Sequence, residues 1–507
     1  MGIRRSLSIL AILVSMTDWS VAQQYTPGDT WRESLPEEQG VDSRSLVEML
    51  KFIRRRQIPV HNIVLVRHGY VVLDVSFYPY NSDWPHDMAS ATKSVTSLLT
   101  GIAIDQGVID STQQTVRSLL PRYANAFDSA PRQELTVQNL LTMTSGFNCN
   151  ADDGEMALRQ MQESDDWAAF TLRLPFVNEP GSKFAYCSPN CHLLSVILSE
   201  RTKQSEADFA RQNLFRPLKI DDAMWGSDRQ GRTIGWGGLH LKPRDMARLG
   251  YLYLHDGSWG GRQIVSSAWV RSSIEPKVVV KPGVAYGYNW WINTAHTPPI
   301  FEAEGRGGQR ISVIRDKDAV LAFTGGGDNT DEFAPFLLRS LESDRKLAKN
   351  PRANKQLQSL VRLARQAPLP RSASHTPTIA YNISERTLTF ERNPLRLEAM
   401  TFHFVHGKKP RIALRLANET YDVPIGTDSR PALSLSGPFG LPFATQGKWA
   451  ANGRFVLDLD TVANINHYTI DLDLDEDTPS AMINEVTGEM KDYVVRAHFQ
   501  TRSHHPN

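Results

Sequence analysis

Near residue 370 the hydrophobic pattern of this chain changes period, and no other feature constrains the fold as much. Before it, short β-branched runs alternate with stretches of helical spacing; after it, strand-like alternation dominates. Runs at 63–66 and 70–75 read as a hairpin through Arg67-His68-Gly69, and 311–314 with 319–324 read as a second. Helical spacing is expected over 40–56, 94–106, 190–201, 243–254 and 331–347, with Thr136 capping a further helix that ends near Ser145-Gly146. Strands at both ends with helices between them predict an α/β (α+β) unit with an antiparallel sheet flanked by helices. Residues 351–366 read as a polar amphipathic helix and 367–377 as a Pro/Ser-rich linker. Beyond it, alternation at 400–405, 411–416, 454–460, 468–474 and 493–499 predicts an all-β sandwich or small barrel. A chain of 507 residues is too long for one ordinary domain. The division expected is 1–22, 23–350, 351–377 and 378–507.

Residues 1–22 read as an export signal. Arg4 and Arg5 precede an apolar stretch, and Ser20-Val21-Ala22 offers small residues for cleavage, so a periplasmic or secreted protein is expected, without a transmembrane segment once the signal is removed. The net charge is +1, from 56 basic and 55 acidic side chains, which argues against a nucleic-acid partner. Three cysteines in an oxidising compartment leave one free. Cys149 with Cys191 is the pairing expected, although spacing does not fix it. No metal-ligand spacing stands out, and no cofactor is expected. Asp471, Asp473 and Asp475 share a strand face, which reads as a solvated face rather than a calcium site.

Three short motifs carry the chemistry. In Ser90-Ala91-Thr92-Lys93, at the start of an apolar helix, a serine three residues before a lysine puts hydroxyl and amine on one face. The helix start gives Ser90 a positive dipole end and a free N–H, and burial of Lys93 would lower its pKa toward a neutral base. Ser343 and Lys346 repeat the spacing in a charged, exposed-looking segment, so context rather than spacing singles out Ser90. Tyr186-Cys187-Ser188 supplies a phenol suited to shuttle protons beside an ammonium, which would favour the phenolate, and Ser188 could extend the chain. Ala303-Glu304-Gly305-Arg306-Gly307-Gly308-Gln309 is glycine-rich ahead of a strand, so its backbone can approach a ligand. The N–H groups of Ser90 and Arg306 would then form an oxyanion hole. Gly305, Gly307, Gly308, Gln309, Ser188 and Trp291 are the substrate-binding candidates. No G-x-S-x-G elbow and no phosphate-binding loop occurs.

Together the motifs resemble the serine β-lactamase and penicillin-binding-protein superfamily, and in particular its nylon-oligomer (6-aminohexanoate-dimer) hydrolases and related esterases. The resemblance covers about residues 35 to 345 and extends to Leu140-Leu141-Thr142-Met143-Thr144-Ser145-Gly146-Phe147, Gly237-Gly238-Leu239-His240-Leu241, Asp245-Met246-Ala247-Arg248 and Trp290-Trp291. It implies Ser90 as nucleophile, Lys93 as base, Tyr186 as shuttle and Arg306 as second oxyanion donor, cleaving an ester or amide through an acyl-enzyme. Two departures stand out. A Lys-Thr-Gly-like triad is replaced by Ala303-Glu304-Gly305, and a Tyr-x-Asn by Tyr186-x-Ser188, which puts efficient penicillin hydrolysis in doubt unless Arg306 or Arg310 replaces the lost cation. A β-lactamase or DD-peptidase is the rival within the same chemistry; a non-catalytic cell-wall binding or sensor protein is the rival outside it. The C-terminal part carries no nucleophile motif, so truncation after Gln366 is expected to leave a folded, active esterase.

Overall fold

The computed structural model describes residue 28 and residues 30–150, 154–327, 329–370, 376–435, 437 and 440–500; the expected export signal lies outside them. Among the described residues no helix is long and apolar enough to cross a membrane.

The N-terminal part supplies β1 (Arg32–Glu33), β2 (Val60–Arg67) and β3 (Tyr70–Ser76) to a nine-stranded sheet, and the short strands β4 (His86–Asp87), β5 (Met224–Trp225) and β6 (Leu239–Leu241) form a small sheet beside it. Six later strands complete the large sheet: β7 (Val278–Lys281), β8 (Val284–Tyr286), β9 (Trp291–Asn293), β10 (Ile300–Gly305), β11 (Gln309–Ile314) and β12 (Ala319–Gly325). Their order is β1-β3-β2-β12-β11-β10-β9-β8-β7, antiparallel except where β1 meets β3.

Both faces of this sheet are covered, which is why β2 reads as one unbroken buried run. Ile63 and Leu65 pack with Leu46 and Leu50 of α1 (Ser43–Arg56), whereas Val64 and Val66 join the core around Leu98 and Leu99 of α2 (Thr92–Asp105). The second core also takes α3 (Val137–Leu141), α4 (Ser188–Thr202) and α5 (Pro243–Leu254). Thr136 caps α3 in a reciprocal box with Asn139, and Pro243 opens α5 in its first turn, as the sequence predicts. The helix expected over 331–347 is shorter, α6 (Ala334–Ser340). The wholly buried side chain of Arg67 accounts for the difference: it donates to the Ser343 carbonyl and the Asp344 carboxylate, and that chain segment turns to meet it. α7 (Pro351–Ala364) follows and packs against α1.

Beyond the linker, ten strands run as β13 (Thr387–Phe390), β14 (Leu397–His403), β15 (Arg411–Leu416), β16 (Glu419–Pro424), β17 (Ala432–Ser434), β18 (Phe443–Trp449), β19 (Phe455–Thr461), β20 (His467–Asp473), β21 (Ser480–Glu485) and β22 (Tyr493–Phe499). They hydrogen-bond in the order β16-β15-β14-β13-β22-β21-β20-β19-β18-β17. The ends come together where Gly426 bonds to Thr445 and Gly447, so the sheet is a nearly closed barrel with its own apolar core. The all-β expectation holds, and of its two forms the barrel is the one adopted. A short helix the sequence pattern does not announce, Thr378–Ile383, places Ala380 and Ile383 in that core. Asp471 and Asp473 lie on the expected solvated face and pair with Arg454.

Candidate active site

The small sheet presents the nucleophile motif. Met88 N–H bonds to the Leu239 carbonyl, and Asp87 Oδ1 accepts from Ala89 N–H at 2.8 Å. Ala89 has a φ of 44°, a left-handed conformation that a non-glycine residue holds only when its surroundings impose it. Ser90 lies in the single 3-10 turn Ala89–Ala91 that leads into α2, so it sits at the positive end of that helix. Among the described residues no hydrogen-bond acceptor pairs with the Ser90 N–H.

Lys93, in the first turn of α2, is 1% exposed. Its Nζ donates to Ser90 Oγ at 2.7 Å and to the Trp236 carbonyl at 3.3 Å. The same ammonium stands 4.8 Å from the centroid of the Tyr186 ring. Trp291 stacks on Tyr186 at 6.0 Å and crosses Tyr286 edge-on. Trp290, by contrast, is buried against Tyr253 and Phe301 and belongs to the core.

Sequence reasoning missed Glu155. It comes from a loop and reaches the N-terminus of α4, where its carboxylate accepts from Ser188 N–H at 2.7 Å and from the Ser188 hydroxyl at 3.0 Å. No motif surrounds it, so nothing short of the folded loop reveals it. Ser188 is accordingly buried and directed at Glu155 rather than presented to a substrate.

This carboxylate changes the protonation expected of the site. Burial pulls the Lys93 amine down, but the charges of Tyr186 and Glu155 outweigh it, and its pKa lies above the ordinary lysine value. Burial raises Tyr186 too; Lys93 opposes this and Glu155 adds to it, leaving the phenol above its usual range. The lowered lysine and favoured phenolate expected from sequence are corrected: that reasoning counted desolvation and one cation but not the nearby carboxylate.

β10 runs alongside the Ser90 turn. A Cβ on Gly305 would overlap the Met88 carbonyl oxygen and crowd Ala91 N, so only glycine lets the strand come this close. Strand alternation then separates its neighbours. Ala303 packs into the core on the α2 side, whereas Glu304 pairs across the ladder with Arg310, which also meets Glu302 and Asp331. Arg306 follows at the turn, and no hydrogen-bond acceptor for its N–H occurs among the described residues.

The rest of the glycine-rich segment braces the turn. Gln309 is fully buried and its amide bonds to the carbonyls of Arg306 and Gly325, which corrects its reading as a substrate contact. Gly308, at φ 86°, packs on Thr330, and a Cβ on Gly307 would overlap Ile465 Cγ2 of the barrel. The expected Cys149–Cys191 pair is also corrected. Cys149 bonds to Cys187, immediately after Tyr186, while Cys191 points into the interior toward Asn289, its thiol pushed up to about 12 by burial. A cavity of about 620 Å³, lined by Leu50, His61, Tyr80, Leu363 and His467 among others, includes none of Ser90, Lys93 and Tyr186.

The model of one family, described as beta-lactamase, matches residues 38–340. The chain belongs to this family. It is 26% identical over 251 residues to the 6-aminohexanoate-dimer hydrolase of Paenarthrobacter ureafaciens, a match covering 45% of this chain and 63% of that protein. It is 23% identical over 176 residues to Protein flp of Staphylococcus aureus (strain MW2), covering 33% of this chain and 35% of that one. The chain thus spans less than two thirds of the length of either relative. Among solved structures it is similar to EstCE1, a hydrolase with promiscuous acyltransferase activity, with a TM-score of 0.50 and 14% identity over 59% of this chain and 99% of that one. The last likeness speaks for the fold of the beta-lactamase unit.

Proposed function

We propose that this beta-lactamase-family protein is an exported serine hydrolase that cleaves an ester or amide through a Ser90 acyl-enzyme. The observation that carries the reading is the 2.7 Å contact between Lys93 Nζ and Ser90 Oγ in a buried site beside Tyr186. Loss of one proton from the Lys93–Tyr186 pair generates the base. The pair then takes the Ser90 proton as Oγ attacks the carbonyl, and the N–H groups of Ser90 and Arg306 stabilise the oxyanion. The same pair returns a proton to the leaving group and activates water for deacylation. Trp291, stacked on Tyr186, supports an apolar wall for the acyl part. The name of the Paenarthrobacter relative, a 6-aminohexanoate-dimer hydrolase, supports an amide as one substrate class. Export rests on the N-terminal sequence alone.

A β-lactamase or DD-peptidase is the second reading, and the charge distribution speaks against it. Ala303 stands where the family's cation would be. Neither arginine is free to replace it, since Arg306 pairs with Glu485 and Glu489 and Arg310 with Glu302, Glu304 and Asp331. The test exposes one preparation to a nitrophenyl ester, nitrocefin and a fluorescent penicillin. Ester turnover that disappears in Ser90→Ala is expected. Penicillin labelling without ester turnover would establish the second reading, and no adduct with any activated substrate would leave a non-catalytic binding protein.

A further inference from the structure

We propose that the barrel is a working part of this active site: its 461–466 loop and 485–489 turn hold the two backbone donors of the oxyanion hole in register. The inference rests on the hydrolase reading and adds to it the residues that position Ser90 and Arg306.

The barrel meets the nucleophile side first. Ala463 offers its carbonyl to Asp87 N–H at 2.8 Å, and Asp87 in turn holds Ala89 N–H through its carboxylate. Ala89 is the residue kept at positive φ directly before Ser90. One barrel carbonyl therefore fixes the residue that imposes the strained turn. Next to it, Asn464 Oδ1 lies 2.9 Å from His240 Nε2, and His240 is paired with Asp87 between β6 and β4.

The second contact is made on the oxyanion strand. Arg306 Nε lies 3.1 Å from Glu489, and its Nη1 lies 3.6 Å from Glu485 and donates to the Thr487 hydroxyl. Ile465 fills the space left open by the absent side chain of Gly307. Arg306 thus has a backbone N–H with no acceptor among the described residues and a guanidinium anchored in the barrel. An arginine held by two carboxylates and a hydroxyl is far more restricted than an exposed one.

Glu485 joins the two contacts. It is 4% exposed, accepts from Thr487 N–H and from the Thr487 hydroxyl, and accepts from Asn466 Nδ2 at 3.2 Å. The turn that grips Arg306 and the loop that grips Asp87 are therefore tied through one buried carboxylate. Docking the barrel sets the distance between the Ser90 and Arg306 donors, and Glu485 and Glu489 act as positioning residues. This argues against the separable barrel expected from sequence.

The test uses full-length protein carrying E485Q with E489Q, E489Q alone, and E476Q as a control, since Glu476 pairs with Arg386 within the barrel. A boronic acid, whose tetrahedral adduct carries its negative oxygen in the oxyanion hole, reads donor geometry directly. The double variant is expected to lower kcat about ten- to a hundredfold, because a misplacement of about 1 Å at a reacting centre can have that effect. KM should stay within about twofold, and boronate affinity should weaken in parallel with kcat. E489Q removes only a half-exposed carboxylate, so it keeps the fold and should show a smaller effect in the same direction. Unchanged kcat and boronate affinity in folded E485Q/E489Q, or an equal loss in E476Q, would overturn the proposal. Turnover that survives Ser90→Ala would instead overturn the reading beneath it.

Discussion

On one side of this site Lys93 and Tyr186 are held by groups of their own unit: the Trp236 carbonyl, Trp291, Glu155 and the Cys149–Cys187 bond beside Tyr186. On the other side Arg306 is anchored in a second unit, by Glu485, Thr487 and Glu489 of the barrel. The groups proposed to move protons are thus built into the sheet-and-helix unit shared with the family. The groups proposed to orient the oxyanion donors are borrowed from a barrel outside the matched 38–340 stretch. Chemistry and its alignment can be separated here by mutation.

The largest effect expected lies on the proton-moving side. Ser90→Ala should lower kcat by about 10⁶, the scale seen when a nucleophile is lost, whereas Ser343→Ala, at the look-alike motif, should leave it unchanged. Lys93→Met should lower kcat by about 10²–10⁴, the range of a lost general base. Steady-state ester kinetics check all three variants.

The pH profile sharpens the contrast. With Lys93 and Tyr186 both raised, the active form has lost one proton, so kcat/KM should climb as pH rises above neutrality. Glu155→Gln removes a charge that favours the ammonium and opposes the phenolate, so the rise should move to lower pH. The displacement should be less than about one unit, the scale of a single partly solvated charge. A profile that stays in place in Glu155→Gln would remove Glu155 from the site's electrostatics.

The same asymmetry explains what the sequence reveals. Ser90, Lys93 and Tyr186 stand out as candidates because helical spacing and short motifs bring them forward, and the mixed unit and the all-β character of the C-terminal part are legible from their periodicities, which leave sandwich and barrel open. Glu155 is not, because a loop carboxylate acts only once the chain folds it onto Ser188. Gln309 misleads because a motif position does not tell whether an amide faces a substrate or, as here, two backbone carbonyls. The Cys149–Cys187 pairing and the grip of Glu485 on Arg306 depend on long-range packing that spacing does not encode.

Smaller effects separate alignment from chemistry. Asn464→Ala loses the contact to His240 and should lower kcat by less than about tenfold, as expected for one hydrogen bond of about 1 kcal/mol. Replacing Cys149 and Cys187 by serine should leave turnover of folded protein nearly intact and lower stability by about 3 kcal/mol, measured by denaturant unfolding. Activity loss exceeding that of the Glu485 and Glu489 variants would mean that the disulfide, not the barrel, aligns the site.

The most direct test of the whole account is intact-mass measurement of the protein quenched during turnover of a slowly deacylating ester. The account predicts a mass increase equal to the acyl group, mapped to the peptide containing Ser90 and absent from Ser90→Ala. Full turnover without an adduct, or an adduct on another residue, would contradict it.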